Sequence, residues 1–122
     1  MRKETKNACR ALINNGQKNS GNTTIKFDKE GNGYLLLFGN TIAKLSKDKK
    51  RVAITNCGWF SITTKDRLNG LLRMLDIDKG IQQIKGKWYI NSYEYTPSFK
   101  IVKQTLWDGS WIEFETGLNK NQ

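Results

Sequence analysis

The sequence predicts an α+β fold: a single antiparallel sheet of six to eight strands in hairpins, with two helices, the second packed on the sheet. Three observations carry this reading. Short stretches with alternating apolar residues recur between turn-forming pairs such as Gly39-Asn40 and Lys85-Gly86. Leu68, Leu71, Leu72 and Leu75 fall at i, i+3, i+4 and i+7, the strongest helical stripe in the chain. A length of 122 residues leaves room for one hydrophobic core, so residues 1–122 read as a single domain.

The elements follow in order. Residues 3–15 are expected to form a helix on the stripe Ala8, Cys9, Ala11, Leu12 and Ile13, ended by Gly16. Gln17 to Gly21 reads as a polar connector. Thr23 to Asp28 alternates, with Ile25 and Phe27 on one face. Glu30-Gly31-Asn32-Gly33 supplies turn chemistry. Tyr34 to Phe38 is apolar on both faces, which suits a central strand. Thr41 to Ser46 and Arg51 to Thr55 flank a charged loop, Lys47-Asp48-Lys49-Lys50. Thr63 or Thr64 is the expected N-cap of the second helix. Ile81 to Ile84 and Lys87 to Tyr93 flank Lys85-Gly86 as a hairpin. Phe99 to Leu106 and Ile112 to Glu115 are the last strands, with Asp108-Gly109 as a hairpin signal between Trp107 and Trp111. The polar tail from Gly117 is expected to fray.

Composition excludes several kinds of chemistry. Histidine is absent, which removes Ser-His-Asp and Cys-His nucleophile pairs and histidine metal sites. Cys9 and Cys57 are too few for a zinc or iron–sulfur cage within one chain. No phosphate-loop glycine motif is present. Asp76, Asp78, Glu113 and Glu115 read as salt-bridge partners rather than as an acid–base pair. No catalytic residue, metal or cofactor is therefore expected. No apolar run approaches the roughly 18 residues that cross a bilayer, and the basic start leads into no signal-like apolar segment, so a soluble intracellular protein is expected.

Charge is the strongest compositional signal. The formal net charge is +10, and it is uneven. Residues 1–58 hold 12 basic and 4 acidic side chains, a net +8, whereas residues 59–122 carry only +2. A positive half-chain attracts polyanions: nucleic acid, nucleotides or an acidic protein surface. The same charge also serves solubility.

Two constellations are candidates for anion or nucleic-acid binding. Lys44, Lys47, Lys49, Lys50 and Arg51 form the densest basic cluster, placed to grip phosphates or to guard a sheet edge. Trp59, Lys65, Arg67 and Asn69, with Phe60, surround the start of the second helix, where exposed N–H groups hold anions and an aromatic stacks on a base. The alternative makes Trp59 a core plug and the threonines ordinary caps. Trp88, Tyr89, Trp107 and Trp111 read mostly as core, and Cys57 as a buried structural cysteine. Tyr34, Tyr93 and Tyr95 are candidate edge contacts.

The run Tyr34-Leu35-Leu36-Leu37-Phe38-Gly39-Asn40-Thr41-Ile42-Ala43, then Asn56-Cys57-Gly58-Trp59, Thr63-Thr64-Lys65-Asp66-Arg67-Leu68-Asn69, Leu71-Leu72, Gln83, Lys85-Gly86, Trp88-Tyr89 and the late Asp108-Gly109, resembles a family of small uncharacterised bacteriophage and mobile-element proteins. The resemblance spans roughly residues 22–90. It implies an accessory protein working in a bacterial cytoplasm, often against host machinery or defence systems. The expected function is non-catalytic binding to nucleic acid or a nucleoprotein complex. The alternatives are direct inhibition of a host defence protein and sequestration of a small anionic nucleotide such as a cyclic nucleotide.

Overall fold

Two antiparallel sheets, not one, share the strands. The computed structural model describes residues 1–95 and 97–118. In chain order the elements are α1 (Lys3–Ile13), β1 (Lys18–Ser20), β2 (Thr23–Phe27), β3 (Gly33–Leu37), β4 (Asn40–Leu45), β5 (Arg51–Ile54), α2 (Ile62–Met74), β6 (Lys79–Ile84), β7 (Lys87–Glu94), β8 (Lys100–Leu106) and β9 (Ile112–Glu115). The large sheet has the order β1-β2-β3-β4-β5-β9, and β6-β7-β8 form a separate three-stranded sheet.

The reason for the division lies at residues 107–111. The Asp108-Gly109 signal does not close a hairpin, because β8 and β9 belong to different sheets. Thr55 and Asn56, just past β5, capture the Gly109 carbonyl instead: Thr55 Oγ1 donates to it at 2.6 Å and the Asn56 amide at 3.0 Å. The chain therefore leaves β8 and joins the edge of β5. Gly109 has φ +88, and an added Cβ would collide with the Asn56 side-chain amide, so both conformation and space require glycine.

The meander β2 to β5 follows from strand alternation. Ile25, Leu35, Ala43, Leu45, Val52 and Ile54 point inward and are buried under the helices. Gln17 to Gly21, expected as connector, contains β1. Its polar residues carry no apolar alternation, and the strand exists because its backbone pairs with β2. The turn between β3 and β4 is Phe38-Gly39, one residue earlier than expected, with φ +50 and +80. Lys85-Gly86 turns as expected, with φ +50 and +81.

The N-cap of α2 is Ser61, not Thr63 or Thr64. Its hydroxyl accepts from the Thr64 amide at 3.1 Å. Leu68, Leu71, Leu72 and Leu75 are all buried, as the stripe requires. Gly70 is where the helices approach: a Cβ there would strike the Thr5 methyl of α1. The tail does not fray at its start, because Gly117 donates to the Leu75 carbonyl at 2.8 Å. Residues 119–122, also expected to fray, lie outside the described residues.

Gly33 tests this packing. An added methyl would stand 2.6 Å from Leu12 Cδ1 and 2.9 Å from the Phe27 ring. Gly33→Ala should destabilise the protein by roughly 1–3 kcal/mol through overpacking, read as a lower urea midpoint at unchanged slope.

Candidate nucleic-acid interface

The outer face of the large sheet brings cations and an aromatic into one row. Pairing register aligns Lys26, Tyr34, Lys44, Ala53 and Glu113 across β2, β3, β4, β5 and β9. Their neighbours in sequence point inward to the helices, so this row faces away from them. Lys26 and Lys44 are exposed, and Tyr34 is half-buried between them. The Lys44 ammonium lies 5.7 Å from the Tyr34 ring centre.

Asp28 fixes that ring. The Tyr34 hydroxyl donates to Asp28 Oδ2 at 2.9 Å, and Asp28 Oδ1 accepts from the amides of Glu30 and Asn32 at 3.0 and 2.9 Å. The bond to Asp28 pushes the Tyr34 hydroxyl pKa up. Desolvation opposes ionisation of Asp28, but the bonds from Tyr34 and Asn32 outweigh it and hold the carboxyl below its usual range. Tyr34 thus stays neutral while its ring remains on the sheet surface.

The expected basic cluster does not converge on one face. Lys44 and Arg51 lie on the outer face, where Arg51 pairs with Glu113 at 3.0 Å. Lys47 packs its stem where a Gly31 side chain would sit. Lys49 turns toward the end of α1. Its ammonium reaches Asn15 Oδ1 at 2.6 Å and the Phe27 ring centre at 5.8 Å, and burial lowers its pKa. Lys50 is exposed beside them. Lys26 and Tyr34 complete the row, but only strand register reveals that Tyr34 lies between Lys26 and Lys44.

The second constellation separates as well. Trp59 is 60% exposed and Phe38 71% exposed, so Trp59 is no core plug. With Leu37, Ile42, Ser61 and Thr64 they line an apolar cleft of about 290 Å³. Lys65 Nζ donates to Gln83 Oε1 at 3.4 Å. Asn69 is committed to the fold: it donates to the Ile81 carbonyl at 2.9 Å and accepts from the Ile81 amide at 2.7 Å, pinning β6 to α2.

Arg67 requires the largest correction. It is only 1% exposed and cannot meet a ligand at the surface. Its guanidinium donates to Thr23 Oγ1 at 3.1 Å, Thr5 Oγ1 at 2.5 Å and Asn22 Oδ1 at 3.4 Å. It also pairs with Glu4 at 3.2 Å and Asp66 at 3.4 Å. Its position one residue before Leu68 widens the buried stripe of α2, which the leucine spacing alone did not disclose.

Trp88 and Trp107 are buried as expected, whereas Trp111 is exposed. Cys57 is exposed, not buried, because Cys57-Gly58 forms a turn with φ +54 and +80. Among the described residues no three His, Cys, Asp or Glu side chains converge as a metal site, and no helix is long and apolar enough to cross a membrane.

These features define an α+β protein with an open sheet face bearing Lys26, Lys44 and Arg51 beside Asp28 and Glu113, and with exposed aromatics near the start of α2. The chain belongs to a phage protein family, described as Kyanoviridae Gp96 protein, whose model matches residues 1–115. No curated protein and no solved structure matches it.

Two measurements check this geometry. Arg67→Met keeps the length of the side chain and strands its partners, so it should cost about 3 kcal/mol of stability, read from urea unfolding. Burial pushes the Cys9 thiol pKa up to about 12, and Cys57 is exposed. A thiol reagent at pH 8 should therefore label Cys57 alone in the folded protein and reach Cys9 only on unfolding, as peptide mass mapping would report.

Proposed function

We propose that this protein binds nucleic acid without catalysis, through the outer face of its large sheet. The Lys26–Tyr34–Lys44 row carries the reading. Two ammonium groups, on the strands either side of β3, flank a ring, the combination that grips a phosphate backbone while stacking a base. The net charge of +10 adds long-range attraction. Single strands suit an open sheet face better than a duplex, because only unpaired bases offer their faces to an aromatic. The partner is nucleic acid alone or within a nucleoprotein complex, encountered in the bacterial cytoplasm, and counter-defence is a natural use of such binding by a phage. Arg51, Lys47 and Lys50 supply further charge at the end of the same sheet.

A second reading has its own observation. The exposed pair Phe38 and Trp59, beside the apolar cleft, suits direct contact with a host protein.

Polarisation binding to labelled single-stranded DNA, duplex DNA and RNA at two salt concentrations tests the sheet-face reading. Joint replacement of Lys26 and Lys44 by alanine should weaken binding and reduce the salt slope by about two. Tyr34→Leu should lower affinity by about ten-fold while leaving the slope unchanged. Affinity that is indifferent to all three replacements would sink the reading.

A further inference from the structure

β8 is an edge strand that nothing covers. It ends the small sheet, and all seven of its residues are exposed. Two of its apolar residues, Val102 and Leu106, are 52% and 62% exposed. The other edges are closed or short. At the β6 edge, Asn69 holds both the amide and the carbonyl of Ile81. β1 has three residues, and β9 has four, Glu113 and Glu115 among them. A long edge strand bearing exposed apolar residues is a template for a further strand.

The ladder decides which backbone groups are free. The Trp107 amide donates to the Trp88 carbonyl at 2.9 Å. Alternation then turns the backbones of Lys103 and Thr105 toward β7 and those of Gln104 and Leu106 outward. Among the described residues no strand pairs with that outer side. The Gln104 side chain reaches back over its own sheet. Its Nε2 donates to Asn91 Oδ1 on β7 at 2.8 Å and to Gln82 Oε1 on β6 at 3.2 Å. Asn91 Nδ2 donates to Gln82 Oε1 at 2.7 Å. This row of amides draws Gln104 away from the open edge.

The side chains of β8 select the strand that fits. Antiparallel pairing of two identical strands is two-fold symmetric, and outward-facing residues must meet outward-facing residues, so the axis passes through one residue position. Centred on Lys103, where the overlap is longest, the pairing sets two lysines directly opposite, which is destabilising. Centred nearer Lys100, it runs through the bulge at Val102, the residue that the β7 register skips. Centred on Thr105 or Leu106, it joins three residues or fewer before the strand ends. Centred on Gln104, Lys103 faces Thr105 of the second copy, Val102 lies beside Leu106, and no like charges meet. The Lys100 end of each strand also approaches the Asp108 end of the other. Asp108 is exposed, and hydrogen bonds from Ser110 hold its carboxyl below the usual range.

We propose that the protein forms a homodimer by antiparallel pairing of β8 with β8 of a second copy, with the two-fold axis at Gln104. The two small sheets become one sheet in the order β6-β7-β8-β8-β7-β6. The outward backbone groups of Gln104 and Leu106 gain partners, and the Val102 and Leu106 side chains lose exposure. Complementarity of β8 to itself at this register, in charge and in apolar contact, favours a second copy over a foreign strand. β8 takes no part in the large sheet, so the dimer and the sheet-face reading can each fail without the other.

Sedimentation equilibrium of the full chain at physiological ionic strength tests the dimer. The mass should rise with concentration from 14.0 kDa toward twice that value. Amide hydrogen exchange locates the contact: the Gln104 and Leu106 amides should exchange freely in dilute protein and become protected as the dimer forms. Thr105→Glu places a carboxylate opposite Lys103 and should tighten the dimer, whereas Thr105→Lys should loosen it, each by about ten-fold because the pair occurs twice. Thr105 is exposed, so both variants should keep the wild-type circular dichroism. The same two replacements at Gln83, exposed on β6, control for net charge alone and should shift the dissociation constant by less than about two-fold. A chain that stays monomeric at about millimolar concentration would overturn the proposal. So would a dimer whose Gln104 and Leu106 amides remain unprotected, or Thr105 variants that behave like the Gln83 controls. Protection of those amides only when a foreign protein is added would assign the edge to that protein and overturn the homodimer.

Discussion

Arg67 is the interaction on which the arrangement of layers depends. A guanidinium at 1% exposure has lost nearly all its water, so its charge and donors must be met by protein. They are met from three places at once: Glu4 and Thr5 on α1, Asp66 on α2, and Asn22 and Thr23 at the β1–β2 turn. Thr5 also donates to Asp66, which closes the network. Both helices are thereby tied to the same edge of the large sheet. With both on the inner face, the outer face is left for solvent and for any partner.

The second constraint is the capture of Gly109. Thr55 and Asn56 end β5 and at the same time hold the chain that leads to β9. This contact places β9 beside β5 and leaves β6, β7 and β8 as a sheet of their own. It also brings Trp107 and Asp108 against Trp88 and Phe60, so a groove on that side is a by-product of how the chain changes sheets.

Charge in this protein is distributed by register rather than by proximity in sequence. Lys47, Lys49, Lys50 and Arg51 are adjacent in the chain but spread around a turn, where Lys49 has φ +65 and leans on Asn15 and Phe27. Lys26 and Lys44 are far apart in the chain yet separated by one strand on the sheet. A linear count of basic residues measures attraction to polyanions; only pairing determines which cations share a surface.

The sequence by itself determined the elements whose causes are local. Alternation at Thr23–Phe27 and Arg51–Ile54, the leucine stripe of α2 and the Lys85-Gly86 turn are each encoded within a few residues, and each stands where those residues require. Lys44 and the exposed Trp59 could be singled out by residue type alone. The tertiary structure decided the rest. β1 exists through pairing with β2, Ser61 rather than a threonine caps α2, and Arg67 is interior because partners from α1 and the β1–β2 turn surround it. The split into two sheets hangs on hydrogen bonds between residues more than fifty positions apart. Local pattern records what a residue prefers, whereas burial of a charge and choice of strand partner are set by groups that only folding brings near.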